Sequence, residues 1–372
     1  ARQHAETIYK LFEPLGLSHQ VGLLVGGLKP AQKTTTYEHI KNGGVRCIIG
    51  THALIQEGVD MHKLGLVVID EQHRFGVEQR KTLMAKAGHM PHLLSLTATP
   101  IPRSLALTLY GELDISIIAT KPKGRLPIMT EVCSPASRAQ LYEKLDKELG
   151  EGRQMFVVCP LITDAAVTAQ ANAGPKPKTA MSAEKMYEQL SKRDFKHRRV
   201  GLLHGKMKPA EKNAIMERFV RRELDILVST TVIEVGVDVP NASVMLIEGA
   251  ERFGLAQIHQ LRGRVGRGQA QGYCYLMMGD NAAPPKRLRV LESTNDGFKL
   301  AEFDLDERGP GAIYGTMQHG ALDLRIAKLS DTKLIAEARE AAEQTIRRGE
   351  NLLQYPLLSG RVSILRTVTN LN

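Results

Sequence analysis

Residues 67–73 read VVIDEQH, an apolar and β-branched run that ends in two adjacent carboxylates. Such a run is typical of a buried strand in a parallel sheet, and α/β folds bind ligands at the carboxyl ends of these strands. Phosphoanhydride hydrolysis needs magnesium and a carboxylate that orients water. We therefore interpret Asp70 as the magnesium-binding residue, acting through water, and Glu71 as the general base. The alternative is a chance Asp-Glu pair where an ordinary strand meets solvent.

Short apolar runs alternate with helical patterns along the 372 residues, which predicts an α/β fold with parallel sheets. The segment KPKGRLP at 121–127 predicts a linker between two such units. The predicted strands are 45–49, 64–69 and 92–96 before the linker, and 154–158, 200–203, 225–229, 243–247 and 272–276 after it. The predicted helices are 137–149, 183–191, 209–221, 286–300 and 333–348.

The formal net charge of +10 and the pI of about 9.4 favour a polyanionic partner such as nucleic acid. Many basic proteins bind no nucleic acid, so charge alone leaves the partner open. Four cysteines occur without a C-x-x-C pair, which argues against a zinc ribbon or a disulfide framework and is typical of a reducing compartment. The cysteines are Cys47, Cys133, Cys159 and Cys274.

The stretch SLTATP at 95–100 predicts that Thr97 and Thr99 lie at the carboxyl end of a buried strand. This is the same sheet edge as the acidic pair. Hydroxyl groups at this edge can bond to the DEQH loop and couple the nucleotide state to a distant surface. The alternative is a strand-to-helix turn in which Thr99 caps the helix that starts at Pro100.

The stretch QLRGRVGRG at 260–268 places three arginines within six residues, separated by glycines. Mutual repulsion of these cations is offset when they surround an anion, and bidentate guanidinium groups suit phosphate. We interpret Arg264 and Arg267 as arginine fingers that reach a terminal phosphate across a cleft. The alternative is a solvated basic turn.

Upstream, TTVIEVGVDVP at 230–240 supplies a strand end, a glycine and a carboxylate. Gly236 and Asp238 are candidates for facing the ribose and the same cleft. Thr230 and Thr231 are candidates for contacting a nucleic-acid backbone.

Two further predicted strand ends, GTH at 50–52 and HG at 204–205, are candidate nucleic-acid contacts. Their candidate residues are Thr51, His52, His204 and Gly205. A lone histidine is more often structural than functional. His73 abuts the acidic pair and is a candidate for linking the nucleotide to the other domain. It could instead bind a metal, but no second histidine or cysteine lies at ligand spacing.

Five segments, in this order along the chain, resemble the superfamily 2 helicases, and most closely the RecG-type DNA translocases that remodel stalled replication forks. The segments are DEQHRFGVEQR (70–80), TATPIPRSLALT (97–108), LLHGKMKPAEK (202–212), TTVIEVGVDVPNAS (230–243) and GLAQIHQLRGRVGRG (254–268). The transcription-repair coupling translocases share several of these elements but typically carry DEEH, with a glutamate where Gln72 stands.

The resemblance implies an α/β architecture of two RecA-like parallel-sheet domains and a C-terminal helical hairpin with a translocation motif. The implied bounds are 1–120 for the first domain, 121–127 for the linker, 128–283 for the second domain and 284–372 for the C-terminal region. It implies ATP and magnesium as cofactors and branched or forked duplex DNA as a partner, with single-stranded DNA-binding protein as a further candidate. It also implies a monomer in the bacterial cytoplasm, associated with the nucleoid, that acts in recombination and repair.

The family's motifs also imply roles for individual residues. These are magnesium binding and hydrolysis at Asp70 and Glu71, coupling at Thr97 and Thr99, linkage of nucleotide and DNA at Gly236 and Asp238, finger-motif positions at Gln260, Arg264 and Arg267, and translocation at Arg308 and Gln318. The translocation motif is RGPG at 308–311 through GTMQHG at 315–320. Met317 stands where the family usually has arginine, and this departure puts in question how strongly hydrolysis is coupled to DNA movement.

The phosphate-cradling pattern G-x-x-x-x-G-K-[S/T] has no match in the 372 residues. In the family, that loop precedes the sequence ARQH with which this chain starts, and a wedge domain lies further upstream. We therefore expect a C-terminal portion of a helicase, with an incomplete first domain and poor ATP hydrolysis when alone. Three other hypotheses stay open, namely a non-catalytic nucleic-acid-binding remnant, an ATP-independent RNA-binding or remodelling protein, and a transcription-repair coupling-type translocase.

Overall fold

The computed structural model divides the chain into two compact units, Ala1–Ala98 and Thr99–Asn372. The residues it describes are 1–56, 58–61, 63–72, 75–98, 116–118, 120, 124–160, 182–231, 239–308 and 332–369.

The first unit contains two parallel strand pairs and the helices that pack against them. In chain order its elements are α1 (Arg2–Phe12), β1 (Val21–Leu24), α2 (Pro30–Lys41), β2 (Cys47–Gly50), β3 (Leu66–Ile69), α3 (Val77–Ala85) and β4 (His92–Ser95). Strand β1 pairs with β2, and β3 pairs with β4. Val67 and Ile69 of β3 enter the core of this unit, whereas the alternate residues Leu66 and Val68 are exposed because successive strand side chains point to opposite faces.

The second unit is built on a six-stranded sheet with the order β5–β10–β9–β6–β8–β7, in which all pairs are parallel. The strands are β5 (Met129–Cys133), β6 (Gln154–Val158), β7 (Val200–Leu203), β8 (Ile226–Ser229), β9 (Ala242–Glu248) and β10 (Tyr273–Met277). The helices between and after them are α4 (Arg138–Gly150), α5 (Ala183–Gln189), α6 (Pro209–Val220), α7 (Leu255–Arg262), α8 (Lys286–Ser293), α9 (Gly297–Arg308), α10 (Thr332–Arg347) and α11 (Pro356–Thr369).

Helices cover both faces of this sheet, so its central strands are buried on both sides. Alternate residues of β6 enter different cores: Met155 packs with Leu145 of α4, and Phe156 packs with Phe219 of α6. The α4 sequence places leucines at 141, 145 and 149, which is the spacing that puts one apolar stripe against a sheet. The result is a three-layer α/β/α arrangement that fixes where each strand ends.

All eight predicted strands are present, and those at 154–158 and 200–203 have the predicted bounds. Two strands, β1 and β5, were not predicted. The single helix predicted at 286–300 is wrong, because Thr294 is extended and separates α8 from α9. The prediction that the strand before Thr97 is buried is also wrong, since Leu94 of β4 is 49% exposed. None of the helices in the described ranges combines the length and apolarity that crossing a bilayer requires.

Candidate active site and nucleic-acid contacts

The acidic pair lies immediately after β3, at its carboxyl end. The Oδ1 atom of Asp70 accepts a hydrogen bond from the backbone N–H of Glu71 at 2.9 Å, and its Oδ2 atom lies 3.2 Å from Nε2 of His4 in α1. About half of the Asp70 side chain is exposed. The carboxylate is therefore held from two sides while it remains accessible to solvent.

The backbone of Glu71 is strained. Its φ is 52°, in the left-handed region that non-glycine residues rarely occupy. Strain of this kind persists where the surrounding structure imposes it, and it occurs often at catalytic positions. This left-handed backbone is consistent with the catalytic role predicted for Glu71.

Backbone hydrogen bonds join the acidic loop to the end of β4. Leu96 donates its N–H to the carbonyl of Ile69 at 2.8 Å, and Gln72 donates its N–H to the carbonyl of Leu96 at 3.2 Å. Thr97, the next residue, is exposed beside this junction. The structure therefore brings the DEQ and SLT segments together, as a coupling role for Thr97 requires.

The GTH segment lies at the end of β2, in the same unit. Thr51 precedes a short 3-10 helix at His52–Ile55, and both Thr51 and His52 are exposed. The His52 ring stacks on the ring of Phe75, with centroids 4.7 Å apart and planes 11° from parallel. Phe75 belongs to the DEQHRFG segment, and the sequence motifs did not indicate this contact.

In the second unit, the arginine-rich stretch forms the end of α7 and the turn after it. Gln260 lies in α7, Arg264 is partly exposed and Arg267 is exposed, with its Nε donating to the carbonyl of Gly263 at 3.2 Å. A side chain at position 268 would place its Cβ 2.6 Å from the carbonyl oxygen of Pro240, so Gly268 is needed for this close approach.

Arg262, the arginine that sequence reasoning left without a role, is buried. Its Nη1 donates to the carbonyls of Leu291 and Thr294, both at 2.9 Å, and its Nη2 lies 3.0 Å from Nδ1 of His259. Burial lowers the pKa of this guanidinium. Arg262 therefore joins the end of α7 to the end of α8. In the sequence, this role could have been found from an arginine on the helix face whose other residues are apolar.

Three buried polar atoms without hydrogen-bond partners lie at the ends of β7 and β8. They are Nδ1 of His204, Oγ of Ser229 and Oγ1 of Thr230. The N–H of Thr230 donates to the carbonyl of Leu203, so the two strand ends are adjacent. Buried polar groups without partners are rare in folded proteins, so these three atoms mark the two strand ends as a candidate site. Gly205 is exposed beside them, and Thr231 is partly exposed.

Several predicted site residues lie outside the described residues. They are His73, Thr99, Gly236, Asp238 and Gln318. Arg308 is the last residue of α9, where the structure describes its backbone but not its side chain.

The donor set at the end of β3 fits magnesium. Among the described residues no group of three or more His, Cys, Asp or Glu could hold a metal ion. Magnesium bound with a nucleotide typically takes only one or two protein carboxylates, with water and phosphate oxygens completing its shell. Asp70 would supply that carboxylate, and the adjacent Glu71 would then orient the attacking water.

Three stretches of the chain match known families. Residues 1–108 match the DEAD/DEAH box helicases, residues 140–269 match the helicase conserved C-terminal domain, and residues 294–365 match the C-terminal part of domain 3 of the ATP-dependent DNA helicase RecG. The third match is specific to one kind of helicase. The chain belongs to the RecG helicase family.

Individual RecG proteins are similar over nearly the whole chain. RecG of Aquifex aeolicus is 46% identical over 361 residues, which are 95% of this chain and 44% of that protein. RecG of Haemophilus influenzae is 47% identical over 359 residues, 94% of this chain and 49% of that protein. The chain thus spans about half the length of these relatives.

A solved structure of RecG bound to a three-way DNA junction matches with a TM-score of 0.67 and 43% identity, over 90% of this chain and 41% of that one. This match confirms the predicted α/β class with RecA-like domains. The RecG-type resemblance predicted from the motifs is confirmed as well.

Proposed function

We propose that this chain is the motor part of a RecG-type helicase that hydrolyses ATP and moves along branched duplex DNA. The observation that carries this proposal is the acidic pair at the end of β3, where Glu71 has a left-handed backbone and the loop is bonded to the segment that contains Thr97. This arrangement joins the residues that would act on water to those that would report the nucleotide state.

The chemistry divides between the two units. When bound, magnesium would neutralise charge on the phosphates. Asp70 would hold it through water, and Glu71 would orient the attacking water and accept its proton. Arg264 and Arg267 would stabilise the charge that develops on the terminal phosphate.

The second half of the proposal concerns DNA. His204 and Thr230, with Thr231 and Gly205 beside them, would contact the phosphate backbone, and Thr51 and His52 would do so in the first unit. A RecG relative has been solved on a three-way DNA junction. We infer that stalled forks and Holliday junctions are the substrates of the whole protein.

The remaining expectations are part of the same proposal. They are a partnership with single-stranded DNA-binding protein, a monomeric state, a cytoplasmic and nucleoid-associated location, and the four domain bounds given above. Because the 372 residues contain no G-x-x-x-x-G-K-[S/T] match, we expect this chain by itself to hydrolyse ATP slowly, with little stimulation by DNA.

The deciding experiment measures ATP hydrolysis, with and without forked DNA, by a protein of the relatives' full length that contains this chain. Glu71→Gln and Arg267→Ala should each lower kcat by at least about a hundredfold, as loss of a general base or of an arginine finger does. ATP binding should persist in both. The matched controls are Glu38→Gln and Arg221→Ala, both at exposed positions. Near-normal rates in Glu71→Gln or Arg267→Ala would overturn the assignment.

A further inference from the structure

The stack of His52 on Phe75 joins two segments that the proposed function treats separately. His52 follows β2 in the candidate DNA-contacting loop, and Phe75 lies in the segment that begins with the acidic pair. The rings are 4.7 Å apart and nearly parallel. His52 is exposed, whereas Phe75 is partly buried and packs against the core of the first unit. The exposed His52 ring therefore packs on the Phe75 ring, which the core of the first unit holds in place.

From Phe75 the contacts continue to the candidate catalytic residues. Its N–H donates to the carbonyl of Gln72 at 3.0 Å, and the N–H of Gln72 donates to the carbonyl of Leu96 at 3.2 Å. Gln72 follows Glu71 directly, and Leu96 precedes Thr97. A displacement of Phe75 would thus change the position of Gln72, and with it the strained backbone of Glu71.

We propose that the His52–Phe75 stack is a coupling contact. It transmits the binding of DNA at the GTH segment to the loop that contains Asp70 and Glu71. This inference rests on the proposed function and adds Phe75 to it as a positioning residue. An aromatic stack contributes enough to shift an equilibrium between two loop positions by about two- to tenfold. Coupling between two binding sites is reciprocal, so bound nucleotide should change the affinity for DNA by the same factor that DNA changes the affinity for nucleotide.

Phe75→Leu tests this inference because leucine keeps an apolar side chain in the core contact but cannot stack. In the full-length protein, DNA stimulation is the ratio of the ATP hydrolysis rates with and without forked DNA. Stimulation by forked DNA, and the change in DNA affinity caused by a non-hydrolysable ATP analogue, should both fall by about two- to tenfold. Phe75→Tyr should restore both quantities. The matched control is Phe12→Leu, at a partly buried aromatic position in α1 of the same unit.

A double-mutant cycle separates coupling from a structural role. His52→Ala removes an exposed ring, so its folding is not at risk. At saturating forked DNA, which offsets the loss of the proposed contact between His52 and DNA, its effect on DNA stimulation should not add to that of Phe75→Leu. Additive effects, or full DNA stimulation in Phe75→Leu, would overturn the coupling contact. Absence of DNA-stimulated hydrolysis in the unmodified full-length protein would instead overturn the proposed function, so the two failures are distinguishable.

Discussion

The Nε2 atom of His4 lies 3.2 Å from Oδ2 of Asp70, which connects helix α1 to the carboxylate proposed to hold magnesium. The other oxygen, Oδ1, is held by the N–H of Glu71 at 2.9 Å. Together the two contacts fix the plane of the carboxylate group. A carboxylate that binds an ion with strict geometry binds it more tightly when the protein orients the carboxylate before the ion arrives.

His4→Ala should therefore raise the magnesium concentration needed for half-maximal binding of a fluorescent ATP analogue. The pair is exposed, so we expect a modest rise of about two- to fivefold in the full-length protein. His4→Gln, which keeps a side-chain donor, should recover part of this loss. An unchanged magnesium requirement in His4→Ala would show that the contact does not orient Asp70.

A second prediction concerns Arg138, which forms two hydrogen bonds with the carboxylate of Glu248, at 2.6 and 2.8 Å. Although burial opposes it, this pairing raises the pKa of the guanidinium above its ordinary value. Glu248 is only 6% exposed, so Arg138→Ala would leave a buried carboxylate without its cation. We expect a loss of about 3 kcal/mol in the free energy of unfolding, measured with urea.

The matched control for Arg138 is Lys192→Ala, which removes an ion pair with Glu188 in which both side chains are exposed. Its effect should stay within about 0.5 kcal/mol. Equal effects of the two substitutions would contradict the view that burial makes the Arg138–Glu248 pair important for stability.

A third prediction is a pH dependence. The Oδ1 atom of Asp146 accepts hydrogen bonds from Nε of Arg198 at 2.8 Å and from Nε2 of His197 at 2.9 Å. The bond from Arg198 is the main cause that lowers the pKa of this carboxyl. A lowered pKa stabilises the fold above the ordinary value of about 3.9, and this contribution is lost as the pH falls through the lower folded-state value.

Asp146→Asn should accordingly lower the free energy of unfolding at pH 7, by about 0.5–1 kcal/mol because the pair is partly exposed. The difference from the unmodified protein should shrink as the pH falls below about 4. Urea unfolding between pH 3 and pH 7 measures it. A difference that stays constant over this range would mean that the ionised carboxylate is not the stabilising group.

The fourth prediction concerns Arg262, whose Nη1 donates to one carbonyl in the last turn of α8 and to one just after it. Arg262→Met fills similar space but leaves the carbonyls of Leu291 and Thr294 without this donor. We expect a loss of about 1–2 kcal/mol in the free energy of unfolding. Amide hydrogen exchange in α8 should accelerate more than exchange in α4, which Arg262 does not contact through these bonds. Uniform acceleration across both helices would argue against a local role.

Much of the candidate site could be predicted because its signals are local. A strand end followed by Asp70 and Glu71, or a glycine-spaced pair such as Arg264 and Arg267, is recognisable from neighbouring residues alone. The strand β6 was predicted with correct bounds because an apolar run of five residues between polar neighbours has few other interpretations. The strand β5, MTEVC, was missed because its first four residues alternate between exposed and partly buried positions at a sheet edge.

The sequence by itself determined the fold class, the family and the order of the motifs, because these depend on residue type and spacing. The tertiary structure decided which distant residues meet, namely His4 with Asp70, His52 with Phe75, and Arg262 with the end of α8. None of these pairs has a spacing that a single helix or strand would bring together. Their proximity follows from the packing of helices and strand ends that are far apart in sequence, which no local pattern of residues specifies.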